Sequence, residues 1–242
     1  MTMLDACVRR ISSLSAADRQ CMFELYRDNY GGAAAPIFNK DLDAKDYSIL
    51  LTDPLADIRG FSTLAVYSER YRGKPVKVIY SGDTIIDRAY WGKNEFAATW
   101  LRLVGSIKAD APGIPLYWLL IVKGHRTYRY LSLFSNEYYP RHDAETPPER
   151  QRLMHHLAKS RFGDSYDPDS GLVRFQGQRS FLKEDLAPVP PKDMARGDVQ
   201  YFLARNPGYA QGDELLCLCE LTPENLTRFA RAWFMEGMKR AA

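Results

Sequence analysis

The stretch 95–108 carries the clearest hydrophobic pattern in the chain. Its apolar residues recur at the spacing of one helical face, and polar residues such as Thr99 and Arg102 fall on the opposite face. The apolar positions are Phe96, Trp100, Leu103, Val104 and Ile107. This pattern predicts an amphipathic helix packed on a sheet.

Three strands are predicted before this helix, at 47–51, 58–71 and 76–86, from β-branched and aromatic residues bounded by turn residues. Residues 72–75 are predicted to be a turn, so the second and third strands form an antiparallel hairpin. Gly82 interrupts the third strand. A glycine there marks a β-bulge or a close backbone approach by a ligand, and a simple kink is the alternative.

Residues 116–122, after the helix, are almost wholly apolar, which is typical of a strand covered on both faces. Strand, helix and strand in this order predict parallel pairing between 76–86 and 116–122. A helix at 127–137 follows and stops before Pro140. The order of elements therefore predicts a mixed α/β sheet flanked by helices.

Both ends of the chain also show regular patterns. Ser15 is predicted to cap a first helix, because Asp18 follows three residues later as in a capping box. Near the other end, a strand at 215–221 precedes a final helix that Thr222 and Pro223 are predicted to open.

The segment 141–193 is the least regular, with clustered prolines and several Gly and Asp residues. A helix at 149–160 and a strand at 172–175 are predicted within it. A separate domain would need a larger apolar face of its own. We therefore interpret the segment as a C-terminal elaboration packed on the core, and residues 1–242 as a single domain.

Composition excludes several classes of protein. The chain is 45% hydrophobic and 26% charged, which is ordinary for a globular protein and argues against disorder. A net charge of +3 with scattered Lys and Arg is too weak to predict nucleic-acid binding. No apolar run approaches the length that spans a membrane, and no signal peptide is recognisable. These features predict a cytoplasmic protein with no membrane partner.

Residues 84–96 join the third strand to the amphipathic helix and read T-I-I-D-R-A-Y-W-G-K-N-E-F. This segment resembles the strand-to-helix loop of the GNAT superfamily of acyl-CoA N-acyltransferases, usually written V-x-P-x-Y-R-G-K-G-I-G. Ile86, Tyr90 and the pair Gly92 and Lys93 match the motif. Backbone amides at a helix N-terminus favour an anion such as a pyrophosphate.

The resemblance implies an acyl donor bound along the third strand and this loop. Three kinds of donor are consistent with this implication: acyl-CoA bound as in the family, acyl-CoA bound in a different way, and an acyl chain attached to a carrier protein. Trp91, Asn94 and Phe96 depart from the family pattern, which has Arg or Gln at the first position and Gly at the other two. The donor-binding residues implied are Gly82, Thr84, Ile85, Ile86, Trp91, Gly92, Lys93, Asn94, Glu95 and Phe96.

A second segment, 127–139, resembles the family's N-x-x-A-x-x-L-Y-x-x-x-G-F helix. The family's Tyr, often the acid that protonates the departing thiolate, falls at Phe134, and a phenyl ring donates no proton. Tyr130 and Tyr138 each lie one helical turn away and are the candidate substitutes, and a thiolate that leaves with help from solvent is the alternative.

A base is needed to take a proton from an acceptor ammonium. Asp83 near the diverging strands and His125 at the end of the buried strand are the candidates. A surface Asp in a hairpin and a helix-capping His are the alternatives. No metal site is predicted, because the adjacent His155 and His156 lack the spacing of a helical zinc site.

The sequence therefore predicts an N-acyltransferase that moves an acyl group to an amine, either a small molecule or a peptide. Acyl-CoA or CoA serves as cosubstrate, and no tightly bound cofactor is expected. One alternative is a catalytically degenerate relative that binds an acyl or pantetheine ligand or a protein partner. Another is a protein-interaction module that uses the aromatic residues of 128–139. The segment 141–193 is expected to shape the acceptor pocket, and a homodimer is left open.

Overall fold

The secondary structure is taken from a computed structural model that describes residues 4–177 and 180–241. The strands are β1 (Asp5–Arg10), β2 (Tyr30–Gly31), β3 (Tyr47–Thr52), β4 (Ile58–Tyr71), β5 (Lys74–Ile86), β6 (Leu116–Val122), β7 (Tyr138–Tyr139), β8 (Tyr166–Asp167), β9 (Leu172–Val173), β10 (Phe181–Leu182) and β11 (Glu214–Glu220). The helices are α1 (Ala16–Asn29), α2 (Ala35–Asp43), α3 (Glu95–Ala109), α4 (His125–Phe134), α5 (Pro148–Phe162), α6 (Pro191–Met194), α7 (Gly197–Arg205) and α8 (Arg228–Ala241).

One mixed sheet organises the fold. Its strands follow the order β1-β3-β4-β5-β6-β11-β9-β8, and β7 also pairs with β11. Neighbouring strands are antiparallel except β5 and β6, which are parallel and are connected through α3. The predicted mixed α/β class and the predicted parallel pair are confirmed.

Helices cover both faces of the sheet. The larger core lies on the face that carries α3, α4, α7 and α8. The opposite face carries two separate apolar clusters, one beneath α5 and the other beneath α1 and α2. Helices α3 and α8 approach very closely, since a Cβ on Gly105 would lie 2.1 Å from the Phe234 carbonyl oxygen and one on Gly237 2.0 Å from that of Arg102. In the described part of the chain, no helix is both long enough and apolar enough to cross a bilayer.

Local signals explain the elements that match their predictions. Ser15 caps α1 through a capping box, in which the Asp18 amide donates to Ser15 Oγ and the Ser15 amide donates to the Asp18 carboxylate. Helix α3 begins at Glu95 and buries the predicted apolar stripe. Within the segment 141–193, α5 and β9 lie close to their predicted positions. The segment also contains β8, β10 and part of α6, which were not predicted.

The predicted turn 72–75 is wrong because Tyr71 already pairs with Lys74. The turn is therefore the two residues Arg72 and Gly73, whose φ angles of 51° and 77° suit a type I′ hairpin turn. The tighter turn extends β5 by two residues at its start.

The predicted ends of two helices are also wrong. Helix α4 stops at Phe134 because the next amides bond elsewhere: Asn136 N donates to Asn225 O and Glu137 N to Asn225 Oδ1, both at 2.8 Å. Thr222 does not begin α8 as predicted. It belongs to a separate single turn that precedes this helix. Thr227 caps that helix, accepting a hydrogen bond from the Ala230 amide.

Candidate active site

Strands β5 and β6 separate part-way along their length. Residues 77–81 of β5 pair with residues 116–120 of β6, and no further pairing joins these strands among the described residues. Strand β5 nevertheless continues to Ile86, bonded only to β4 on its other side. The edge of β5 that faces β6 is therefore unpaired from Gly82 onward, and a cleft opens there.

A β-bulge at the point of separation redirects β5. Ser62 of β4 pairs with Thr84 and Leu64 pairs with Ser81, so Gly82 and Asp83 together oppose Thr63 alone. An extra residue of this kind bends the strand that carries it. The prediction of a bulge at Gly82 is confirmed.

Replacing Gly82 by Ala is expected to destabilise the protein by about 1–3 kcal/mol through overpacking. The new Cβ would lie 2.4 Å from Thr63 Oγ1 and 2.7 Å from Lys45 Cε, and the Lys45 side chain is fully buried. Urea denaturation measures the change in the free energy of unfolding. Gly113→Ala is the matched control, because a Cβ there meets no atom within 4 Å. Equal effects at the two positions would contradict the packing argument.

The cleft has a volume of about 770 Å³, which lies in the range of small-molecule sites. At one end it is lined by Lys93, Arg126 and Tyr130 beside the N-terminus of α3; we call this the basic end. At the other it is lined by Asp83 and Glu214 together with α1 and α2; we call this the carboxylate end. Side chains from the segment 141–193 line the cleft as well, including Phe175, Ser180, Leu182 and Leu186.

The basic end offers hydrogen-bond donors to an anion. In the described part of the chain, the backbone amides of residues 92–97 have no hydrogen-bond acceptor. They surround the N-terminus of α3, where the helix dipole favours negative charge, and the Lys93 side chain lines the cleft beside them. A phosphate or pyrophosphate fits this chemistry.

Trp91 lies across the unpaired edge of β5 at the basic end. Its indole Nε1 donates to the Ile86 carbonyl oxygen at 2.8 Å. Its ring lies 5.0 Å from the guanidinium carbon of Arg126 and 6.0 Å from that of Arg88, both within cation–π range. The ring is 44% exposed, so this residue borders the opening of the cleft without filling it.

Two lysines at the carboxylate end are each bonded to an acid. Lys123 Nζ lies 3.2 Å from Glu214 Oε1 and donates to Ser180 Oγ at 2.9 Å. Lys45 Nζ donates to Asp41 Oδ1 at 2.6 Å.

Asp83 is the remaining acid at this end, and its carboxylate accepts no hydrogen bond from any described residue. Burial raises the pKa of Asp83 to about 6, and repulsion from Asp41 and Glu214 adds to this effect. Lys123 and Lys45 act in the opposite direction but do not outweigh burial. Asp83 is therefore a carboxylate that changes protonation close to neutral pH.

Lys123 and Glu214 stay paired deep in the cleft. Burial disfavours the Lys123 ammonium, but the charge of Glu214, with smaller contributions from Tyr30 and Asp83, raises the pKa of Lys123 above its usual range. Burial raises the pKa of Glu214, and the charge of Lys123 opposes that rise.

The structure brings Tyr130 to the cleft and leaves Tyr138 outside it. The Tyr130 ring packs on Phe96 and Phe134 with centroid distances of 5.8 and 5.4 Å, and burial raises the pKa of its phenol. Tyr138 is buried in β7, where its ring contacts Tyr128 at 6.1 Å. Of the two tyrosines predicted as proton donors, only Tyr130 therefore lines the cleft.

His125 does not line the cleft, which removes it from the candidate bases. It is 1% exposed at the start of α4, with Nε2 3.8 Å from Asp193 Oδ2. Burial, assisted by the charge of Arg126, lowers the pKa of His125 to about 4, so the imidazole is neutral.

Most of the implied donor-binding residues line the cleft, but three do not. Phe96 is buried in the core beneath α3, so its bulk does not obstruct the gap between the strands. Asn94 and Glu95 also lie outside the cleft lining, although their backbone amides have no hydrogen-bond acceptor among the described residues. The residues that do line it are Gly82, Thr84, Ile85, Ile86, Trp91, Gly92 and Lys93.

None of the charged residues Lys45, Lys123 and Glu214 was predicted from the sequence to belong to the site. A signal existed for two of them: Lys123 directly follows the apolar strand β6, and Glu214 begins the apolar strand β11. Because Val122 pairs with Leu215 in an antiparallel ladder, the two flanking charges are brought side by side.

Comparison with known proteins gave matches to solved structures only. No family model and no curated protein matches the chain. A conserved protein of unknown function from Enterococcus faecalis is similar over 55% of this chain and 33% of its own, with 12% identity and a TM-score of 0.40. The GNAT family N-acetyltransferase YhbS from Escherichia coli, solved with CoA, matches 55% of this chain and 71% of its own at 14% identity and a TM-score of 0.39. A Trypanosoma brucei acetyltransferase matches 59% and 100%, at 20% identity and a TM-score of 0.37.

Proposed function

We propose that this chain transfers an acyl group from a thioester, either acyl-CoA or an acyl-carrier protein, to an amine. The observation that carries the proposal is the cleft between β5 and β6. A carboxylate with a pKa near neutrality lies at one end of it, and a phenol lies at the other, beside the unpaired amides at the N-terminus of α3. A thioester arm placed along the free edge of β5 would lie between these groups.

The donor is expected to bind at the basic end. The amides of residues 92–97 and the Lys93 ammonium would neutralise phosphate charge, and the unpaired backbone of β5 would hydrogen-bond an extended pantetheine arm. To expose the Ile86 carbonyl to such an arm, the Trp91 indole has to leave it.

Asp83 is the proposed base. An acceptor amine reaches the cleft as an ammonium, and Asp83, ionised at and above neutral pH, takes its proton. The free amine nitrogen then attacks the thioester carbonyl carbon and forms the C–N bond. The C–S bond breaks with its electron pair on sulfur, the second proton of the attacking nitrogen passes to that thiolate to give the thiol, and the proton on Asp83 passes to solvent.

Tyr130 is the proposed donor to the departing thiolate. Because burial raises its pKa, the phenol keeps its proton at neutral pH. An ordinary thiol has a pKa of about 8.5, below that of a phenol, so full proton transfer from Tyr130 would be uphill. A hydrogen bond that strengthens as charge develops on sulfur is the role its chemistry supports.

Replacing Tyr130 by Phe is expected to lower kcat about 10- to 100-fold, with little change in KM for the thioester, because the lost hydrogen bond acts mainly in the transition state. Steady-state kinetics measure both constants. Tyr138→Phe is the matched control, since that phenol is buried outside the cleft. Equal losses in the two variants would contradict the role given to Tyr130.

The proposed function is tested first by donor binding and turnover. Acetyl-CoA at about 100 times its Kd is expected to stabilise the protein by about 2.7 kcal/mol, read as a rise in Tm. Turnover is followed through the thioester absorbance, because the exposed Cys21 thiol would react with a thiol reagent. No binding of acetyl-CoA, of longer acyl-CoA or of an acyl-carrier protein would overturn the proposal.

A second candidate function is ligand binding without catalysis. Trp91 already hydrogen-bonds the strand edge that the donor would use, and Phe134 packs against Trp100 and Trp118 in the core. Tight binding of acyl-CoA with no loss of thioester across a broad set of amines would favour this candidate.

A further inference from the structure

We infer that the acceptor is a small monoamine with an apolar or aromatic body, and neither a polyamine nor a protein or peptide amine. The inference rests on the proposed function and concerns the carboxylate end of the same cleft. Three independent features carry it: the enclosure of that end, its charge balance and its aromatic wall.

The segment 180–187 encloses the carboxylate end. Strand β10 pairs with β2, with Phe181 opposite Gly31 and Leu182 opposite Tyr30. At the basic end, Arg126 Nη1 donates to the Leu186 carbonyl at 3.0 Å. The segment is thus bonded at both ends of the cleft.

This enclosure works against a peptide acceptor. An extended peptide commonly binds by adding a strand to a free edge. Here β10 occupies the β2 edge beside α1, and Lys183 N donates to the Asn29 carbonyl next to it at 3.2 Å. A compact molecule that enters without main-chain pairing fits the remaining space better.

The charged residues at the carboxylate end accommodate one additional positive charge. Asp41 and Glu214 are each matched by a bonded lysine, Lys45 and Lys123 respectively, which leaves Asp83 as the carboxylate at this end that no described lysine bonds. One ammonium beside Asp83 balances the group. The second ammonium of a polyamine would meet Lys123 inside the cleft, or the exposed Lys40 at its rim.

Aromatic side chains form the wall beside these charges. Tyr26 and Tyr30 stack with a centroid distance of 4.9 Å, and Phe38 lies 5.2 Å from Tyr26. Tyr80 completes the lining near Asp83. A flat or aliphatic body would pack on these rings while its ammonium reaches the carboxylate.

The test compares acceptors with the full-length chain and saturating acetyl-CoA. The probes are 2-phenylethylamine, butylamine, spermidine and a short peptide with a free N-terminus and one lysine. Products are identified by mass spectrometry. We expect kcat/KM for 2-phenylethylamine to exceed that for spermidine and for the peptide at least tenfold. Transfer to the peptide or to spermidine with equal or higher efficiency would overturn the inference and leave the acyltransferase proposal standing.

A binding measurement separates this inference from catalysis. By calorimetry, 2-phenylethylamine is expected to bind at least tenfold more tightly than its neutral analogue 2-phenylethanol, and Asp83→Asn is expected to remove that difference. If no amine is acylated but this preference is found, the acyltransferase proposal fails while the monoamine site stands. If the amine and the alcohol bind equally, the inference fails.

Discussion

Replacing Asp83 by Asn is expected to lower kcat/KM at neutral pH by about 100- to 10,000-fold, the usual contribution of a positioned general base. Asn has nearly the same shape but accepts no proton, so the cleft keeps its form while the ammonium stays charged. In the wild type, activity is expected to fall as the pH decreases through about 6, where Asp83 becomes protonated. The residual activity of the variant should lack this limb. An unchanged pH profile would remove Asp83 from the mechanism.

The same substitution is expected to leave the fold as stable or more stable at neutral pH. The folded pKa of about 6 lies above the usual 3.8, so folding favours the protonated form. The stability that this group provides is present at pH below 3.8 and is lost as the pH rises through about 6. With 1.36 kcal/mol per pKa unit, the ionised group costs on the order of 3 kcal/mol at neutral pH. Thermal unfolding compared with the exposed Asp169→Asn control measures this.

Replacing Lys123 by Met is expected to destabilise the protein by about 3–5 kcal/mol, because it leaves the Glu214 carboxylate buried without its partner. The loss should be smaller at mildly acidic pH, where the unpaired carboxylate takes up a proton and no longer carries a buried charge. Chemical denaturation at two pH values measures both effects. The exposed Lys74→Met is the control, with an expected change within about 0.5 kcal/mol.

The double variant Lys123→Met with Glu214→Gln decides whether pairing is the cause. If the buried charge alone is responsible, the double variant should recover much of the lost stability, because Gln carries no charge. If the double variant is no more stable than Lys123→Met alone, the Lys123 side chain stabilises the protein through packing and not through its charge.

The regular part of the fold was predictable because each element carries its own local signal. The stripe of α3, the unbroken apolar run of β6 and the Ser15 capping box are properties of short stretches of sequence, and the structure follows them. The bulge at Gly82 belongs to the same group, since a glycine inside a β-branched run has few other uses.

What could not be predicted depends on contacts distant in sequence. Strand β1 carries Arg9 and Arg10 and lacks an alternating apolar pattern; it is a strand because it pairs with β3. His125 looked accessible at the end of β6, but the start of α4 buries it against α6.

The residues of the candidate site likewise fall into those with a local sequence signal and those that depend on contacts distant in sequence. The strand-to-helix segment 84–96 and Asp83 were identified from local motifs. The pair Lys123 and Glu214 required knowledge that β6 and β11 are neighbours, although 91 positions separate the two residues, as their numbers show. Ser180, which bonds Lys123, comes from a segment with no regular pattern at all.

The short pairing between β5 and β6 also creates a crease in the sheet. Only five residues of each strand are hydrogen-bonded there, while the apolar cluster beneath α5 takes residues from both β5 and β6 and so spans this line. On the opposite face, α3 and α8 cover the sheet and approach each other closely at Gly105 and Gly237. Beyond the fifth pair, β5 is hydrogen-bonded to β4 alone, so its end can move relative to β6 without breaking a hydrogen bond between these two strands. Amide protons on the free edge of β5 should then exchange with deuterium sooner than those of β6, which is flanked by strands on both sides.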